Sequence, residues 1–172
     1  MIKPYRKGHD IRVMIWGGIW VGGRSDVIMM QRDETTVKKS YTQTSYIQVL
    51  EEAIPRCWQP GQIFMQDNAP IHKAGAVKQW FKDNGIPLLD WPPYSPDLNP
   101  IEHLWHLIKT WIQKNKPELA KMGSGEKDLQ ALAEAIIEAW EAIPQEQIDD
   151  LIKSMPRRCA AVIKAKGWHT KY

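Results

Sequence analysis

Apolar positions fall into two regimes along the chain. Up to about residue 90 they come in short runs broken by Gly and Pro; beyond residue 100 they recur every three or four positions. Residues 11–21 (IRVMIWGGIWV) are apolar and rich in β-branched and aromatic side chains, and Gly22-Gly23 follows as a turn signal. Residues 26–31 (DVIMMQ) make a second strand, so the two predict a hairpin. Residues 44–54 carry Tyr46, Ile47, Leu50 and Ile54 at helical spacing, with Pro55 and Pro60-Gly61 as the stop. A short strand over 62–66 (QIFMQ) runs into Asp67-Asn68-Ala69-Pro70. A helix over 74–84 puts Val77, Trp80 and Phe81 on one face and stops at Gly85. Residues 86–90 (IPLLD) form a brief strand, and the proline-rich 91–100 (WPPYSPDLNP) is extended or turning.

The second half is helical. Leu104, Trp105, Ile108 and Ile112 form one apolar stripe. Residues 122–125 read as a break. Leu129, Leu132, Ala133, Ile136, Ile137 and Trp140 mark a second helix. Ile148, Leu151, Ile152 and Met155, then Val162 and Ile163, mark a last one, kinked or split at Pro156. Strands mixed with helices and followed by helices predict an α/β layered domain.

Size and charge narrow the class. One domain of 172 residues with 43% hydrophobic residues can bury a real core. Twenty-three Lys and Arg against 20 Asp and Glu give +3, mildly basic, which permits nucleic acid as a partner without demanding it. The two cysteines, Cys57 and Cys159, lie far apart and have no metal-ligand spacing, which points to a reducing compartment. The first ten residues lack the apolar core of a signal peptide, and no apolar run reaches membrane-spanning length, so no membrane partner is expected.

Two carboxylates stand where chemistry would want them. Asp67 ends a strand, the edge at which α/β sheets bind ligands, although Asp-Asn also simply opens a turn. Glu102 sits at the third helical position after Asn99, an N-cap residue, and Pro100; there a capping box alone accounts for it. Thirty-four residues separate them, framed as QDNAPIH and YSPDLNPIEHLW.

With those two motifs the chain resembles the mariner-type (Tc-like) branch of the DDE transposases and integrases, whose second and third catalytic carboxylates have this spacing. The looser likeness runs from VMIWGGI to the terminal KGWHTKY. The resemblance implies an α/β, ribonuclease-H-like (integrase-type) fold with C-terminal helices. It implies a core over 1–116 and a helical part over 117–172, together one catalytic domain fragment. It implies DNA strand cleavage and strand transfer with two Mg²⁺ (or Mn²⁺) ions, about 3.5–4 Å apart in such sites. Asp67 and Glu102 carry over as catalytic metal ligands, since hard cations prefer carboxylate oxygen. His72, Asn68, Lys109 and His106 are the candidate substrate contacts, with a helix-start histidine and a solvated lysine as the plain alternatives for His72 and Lys109. The implied partners are DNA and a second copy of the chain, with no small-molecule cofactor, and the location is the nucleus if the source is eukaryotic. No role attaches to His103. Pro93 to Pro96 also fits a PxxP ligand, but it lies between structured elements.

The family's first carboxylate belongs to a strand upstream of the tryptophan-glycine strand, and only about ten residues precede that strand here. The chain therefore reads as truncated at its N-terminus, without its first central strand, and as inactive alone. A domesticated DNA- or protein-binding module is the alternative. Asp33-Glu34 mimics the missing motif. In a sheet ordered 3-2-1-4-5 it would stand about 14 Å from Asp67, at ~4.8 Å per strand. Asp10 and Asp26 sit at strand starts, the wrong ends.

Overall fold

The computed structural model describes residues 13–121, 123, 125–168 and 170. They cluster into two compact units, one of the described residues within 1–29 and 96–172 and one of residues 30–95. Residues 11 and 12 of the expected first strand, and residues 122 and 124 of the expected break, lie outside the described residues.

The first unit begins with the expected hairpin, but both arms are interrupted. Strand β1 (Ile15–Trp16) pairs antiparallel with β4 (Ile28–Met29), and β2 (Ile19–Trp20) with β3 (Gly23–Arg24). The tip is a two-residue turn in which Gly22 takes φ +82, a left-handed conformation suited to glycine. Between the two ladders the Gly18 amide donates to the Ser25 hydroxyl at 2.8 Å, and the Ser25 amide donates to the Gly18 carbonyl. A Cβ on Gly17 would stand 3.3 Å from the rings of Trp105 and Trp140, so the break is also where the hairpin presses on the helices.

Helix α3 (Pro100–Asn115) opens with Asn99 as N-cap and Pro100 at its first position, as the sequence predicts. The stripe is buried: Leu104 and Ile108 are fully enclosed and Ile112 nearly so. They pack with Leu132, Ala135, Ile136, Ala139 and Trp140 of α4 (Glu126–Glu141). Here the predicted face is rotated. Leu129 and Ile137, expected in the stripe, are exposed, and Ala135 and Ala139 are buried in their place. Alanines on the inner face let α3 and α4 approach closely, an option that a search for large apolar residues passes over. Helices α5 (Gln145–Lys153) and α6 (Met155–Lys164) meet at Ser154, so the last helix is split beside Pro156 as expected.

Helix α4 has no basic residue in its last turn. The carbonyls at and just past its end are met from the hairpin instead. Arg24 donates through Nη1 to the carbonyls of Trp140 and Ile143, both at 2.7 Å, and through Nη2 to Glu141. The Trp140 indole in turn donates to the Ser25 carbonyl at 2.9 Å. A cation on the negative end of a helix is the favourable arrangement.

The second unit is built on α1 (Gln43–Cys57) and α2 (Gly75–Asp83), with Tyr46, Val49, Leu50, Ala53, Ile54, Val77 and Phe81 buried. Thr42 and Ser45 close a reciprocal capping box at the start of α1. Pro55, expected as the stop, lies inside the last turn of α1, which continues to Cys57. The strands expected over 62–66 and 86–90 reduce to one parallel bridge between Phe64 and Leu88. The Phe64 amide donates to the Pro87 carbonyl, and the Leu89 amide to the Phe64 carbonyl, both at 2.8 Å. Phe64 stacks on Phe81 with ring centroids 4.8 Å apart, which roots the bridge in the helical core.

Replacing Arg24 by alanine leaves the carbonyls of Trp140 and Glu141 at the end of α4, and of Ile143 just past it, without their cation. Urea unfolding is expected to show a loss of about 2 kcal/mol, the range for charge-assisted bonds at a helix end. Arg56→Ala, which breaks only an exposed pair with Glu52, is expected to cost under about 0.5 kcal/mol. Equal losses in the two variants would show that Arg24 is not the tie.

Candidate active site

Asp67 lies three residues beyond the Phe64–Leu88 bridge, at the end of the strand-like segment, and its side chain is 48% exposed. Its Oδ1 accepts the Ala69 amide at 2.9 Å, an Asx turn set up by the Asn-Ala-Pro that follows. The same oxygen faces His72 Nδ1 at 2.7 Å. Among the described residues Oδ2 has no hydrogen-bond partner. The hydrogen bond from His72 is the largest influence on Asp67; it outweighs desolvation and holds the carboxyl below its ordinary 3.8.

His72 is itself positioned. Its ring lies 4.3 Å from that of the buried Tyr46. The Tyr46 hydroxyl donates to Gln66 Oε1 at 2.7 Å, and Gln66 Nε2 to the His72 carbonyl at 3.4 Å. Asn68 donates its amide to the Trp91 carbonyl at 2.7 Å and so joins the Asp67 loop to the proline-rich segment. The sequence flagged His72 and Asn68. It gave no sign of Tyr46 and Gln66, because Tyr46 reads as one more apolar residue on the inner face of α1.

Glu102 occupies the third position of α3 and is exposed. The capping box that would account for it is absent: Asn99 makes no side-chain cap bond. The Asn99 side chain is buried, and its Oδ1 accepts no hydrogen bond among the described residues. The Glu102 carboxylate likewise has no partner there. It stands at the positive end of the helix dipole, which favours negative charge. His106 is exposed and Lys109 half-buried on the same side of α3 by helical spacing.

The loop before α3 is firmly held. Arg158, buried on α6, donates through Nη1 to the Asp97 carbonyl at 2.7 Å and through Nε to the Ser154 hydroxyl at 2.8 Å. Asp97 Oδ2 accepts the amide and hydroxyl of Thr170. Burial first, and the Arg158 cation second, hold the His103 imidazole below its ordinary 6.5. Nothing in the sequence pattern signals that the end of the chain reaches back to this loop.

Asp33 is taken up by its own turn. Its carboxylate accepts from the Thr35 amide and hydroxyl and from Thr42 Oγ1, and these bonds lower its pKa. Glu34 pairs with Lys39. Among the described residues no three His, Cys, Asp or Glu side chains converge as a metal site. The donor chemistry of Asp67 and Glu102 nevertheless fits a hard divalent cation: each offers carboxylate oxygen that no protein group among the described residues occupies.

Short antiparallel ladders combined with helices make this a mixed α/β chain. The chain belongs to the DDE superfamily endonuclease family, whose sequence profile matches residues 6–121. It is 45% identical over 112 residues to the Transposable element Tc1 transposase of Caenorhabditis elegans, covering 65% of this chain and 38% of that one. It is 42% identical over 110 residues to the Tcb2 transposase of Caenorhabditis briggsae, covering 64% and 37%. The chain thus spans less than two fifths of the length of these curated relatives. In fold it is similar to the Mos1 strand transfer complex, with TM-score 0.65 and 21% identity over 99% of this chain and 47% of that one. It is also similar to the Mos1 transposase catalytic domain with raltegravir and Mg, with TM-score 0.59 and 20% identity over 92% and 84%. These likenesses establish the expected ribonuclease-H-like fold.

The His72 bond makes a pH prediction. Because the folded pKa of Asp67 is depressed, its contribution to stability is fully present above the unfolded value. It is lost as pH falls through the lower, folded value. In His72→Ala the Asp67 carboxyl is expected to titrate nearer its ordinary 3.8, followed by side-chain carboxyl ¹³C NMR. An unchanged titration would mean that the Ala69 amide alone holds it.

Proposed function

We propose that this chain is part of the DNA-cleaving and strand-transferring catalytic domain of a Tc1/mariner-type transposase, with Asp67 and Glu102 as carboxylate ligands for Mg²⁺ or Mn²⁺. The observation that carries the reading is the Glu102 carboxylate. It is exposed at the head of α3, unused by the helix cap that would otherwise explain it. The family membership supports DNA phosphodiesters as substrate. When bound, the divalent ions stabilise the charge that develops on the attacking and leaving oxygens of an in-line displacement.

The chain's own residues supply the rest. His72 holds one oxygen of Asp67 and keeps the group ionised, so that Oδ2 stays available for the metal. Tyr46 and Gln66 hold His72, which fixes the direction of the carboxylate. The Arg158 and Thr170 bonds to Asp97 fix the loop from which α3 starts, and with it the position of Glu102. Lys109 and His106 are placed to contact phosphate oxygen. By this reading DNA binds weakly, without sequence preference and with steep salt dependence, and a eukaryotic source would place the work in the nucleus.

The two-metal arrangement needs a third carboxylate, and we assign none among the described residues. By this reading the 172-residue chain alone does not cleave DNA.

Two measurements test this. Mn²⁺ titration followed by the electron paramagnetic resonance of the free ion should show weak binding, reduced roughly tenfold or more in Asp67→Ala and in Glu102→Ala, a change of ~1.4 kcal/mol or more. Variants that bind Mn²⁺ as the parent does would remove the ligand assignment. Plasmid nicking by the parent chain should stay at background. If it cuts, and both variants abolish the cut, a third ligand lies within these residues.

A further inference from the structure

The charge of the molecule is unevenly spread. Residues 151–172 contain six Lys and Arg and no Asp or Glu, so the chain before them is net negative although the whole is +3. Within the first unit α6 sorts these cations by face. Arg158 points inward and is consumed by Asp97 and Ser154. Arg157 and Lys164 are exposed, seven residues apart and so on one side of the helix, separated by about 10.5 Å. Between them stands Ala160, also exposed, with no bulk to keep a rod-shaped partner off the helix. Lys166 follows just past the helix end and is exposed. Among the described residues none of these three cations has a carboxylate partner.

Lys166 carries a second signal. Helix α6 ends in a Schellman arrangement, with the Gly167 amide on the Val162 carbonyl and the Lys166 amide on the Ile163 carbonyl, both at 3.0 Å. The residue in the left-handed position of that motif, φ +52, is Lys166, where glycine would be unstrained. That turn places the Lys166 side chain just past the exposed Arg157 and Lys164.

From this placement we infer that the outer face of α6 and its C-terminal turn, Arg157, Ala160, Lys164 and Lys166, is a binding surface for the phosphate backbone of duplex DNA. The inference rests on the proposed action on DNA and names the surface that would hold it. Anionic phosphates match the cations, and residues 151–172 contain no Asp or Glu side chain. Contacts of this kind position the protein without reading sequence.

The test is fluorescence anisotropy of the 172-residue chain on a labelled random-sequence duplex of about three helical turns, at several salt concentrations. The variants are Arg157→Glu with Lys164→Glu, the control pair Lys121→Glu with Lys127→Glu, and Lys166→Gly. The control pair is exposed, lies in the same unit and makes the same change in net charge. The α6 pair should weaken binding about tenfold or more and lower the slope of log K against log salt by about two, near 0.9 per phosphate contact; the control pair should leave the slope unchanged. Lys166→Gly should lower the slope by about one while the melting temperature stays level or rises, because the strain is relieved. Equal weakening by the two pairs would overturn the surface and leave DNA binding standing. Complete lack of binding by the parent at low salt would remove the DNA reading and the surface with it.

Discussion

The first unit depends on the seam between α3 and α4. Leu104, Ile108 and Ile136 are wholly removed from solvent there, beside the buried Ala135 and Ala139. Each such side chain contributes about 1.5–3 kcal/mol by burial, so the seam outweighs any single polar contact. It also explains why the hairpin, whose ladders are only two residues long, holds its place. The hairpin is pinned from outside its own backbone, by Arg24 on the carbonyls ending α4 and by the Trp140 indole on Ser25. Four short strands that are marginal by themselves become an attachment to a helical core.

The same economy shapes the two candidate carboxylates. Asp67 gives one oxygen to structure and keeps the other. Among the described residues Glu102 gives neither, although it stands where a capping box is the ordinary use. A carboxylate left without a partner at a helix head is tolerated because the dipole favours its charge. The stability forgone is the modest worth of a cap, about 1 kcal/mol. The Asp97, Arg158 and Thr170 bonds then hold the start of α3 in place of the missing cap, and they tie that loop to α6 and the end of the chain.

What the sequence disclosed follows from range. Local signals were readable. Asn99-Pro100 marks the start of α3, Pro156 the division of α5 from α6, Gly85 the stop after α2, and the framing of Glu102 its place in a first helical turn. Effects carried by distant partners were not. Arg24 serves carbonyls more than a hundred residues away, and Tyr46 serves His72 through Gln66. Pro55 failed as a stop because a helix can end on a proline already inside its last turn. Leu129 and Ile137 were misplaced because hydrophobicity ranks them above the alanines, whereas close helix packing ranks the alanines first.

Arg157 and Arg158 show how one helix can divide a charge run between two tasks. In the sequence they are indistinguishable neighbours. A step of 100° around α6 buries one against Asp97 and Ser154 and leaves the other in solvent. The buried guanidinium needs its acceptors, since an unpaired buried charge is costly; it is thereby fixed and in turn fixes the loop before α3. The exposed one has no such requirement and is held in register by the helix that its neighbour anchors. The rigidity of the Asp97 loop and the orientation of the basic outer face therefore share one cause. A change that loosens Arg158 disturbs the start of α3 and the cations of α6 together, whereas a change at Arg157 alters only charge at the surface.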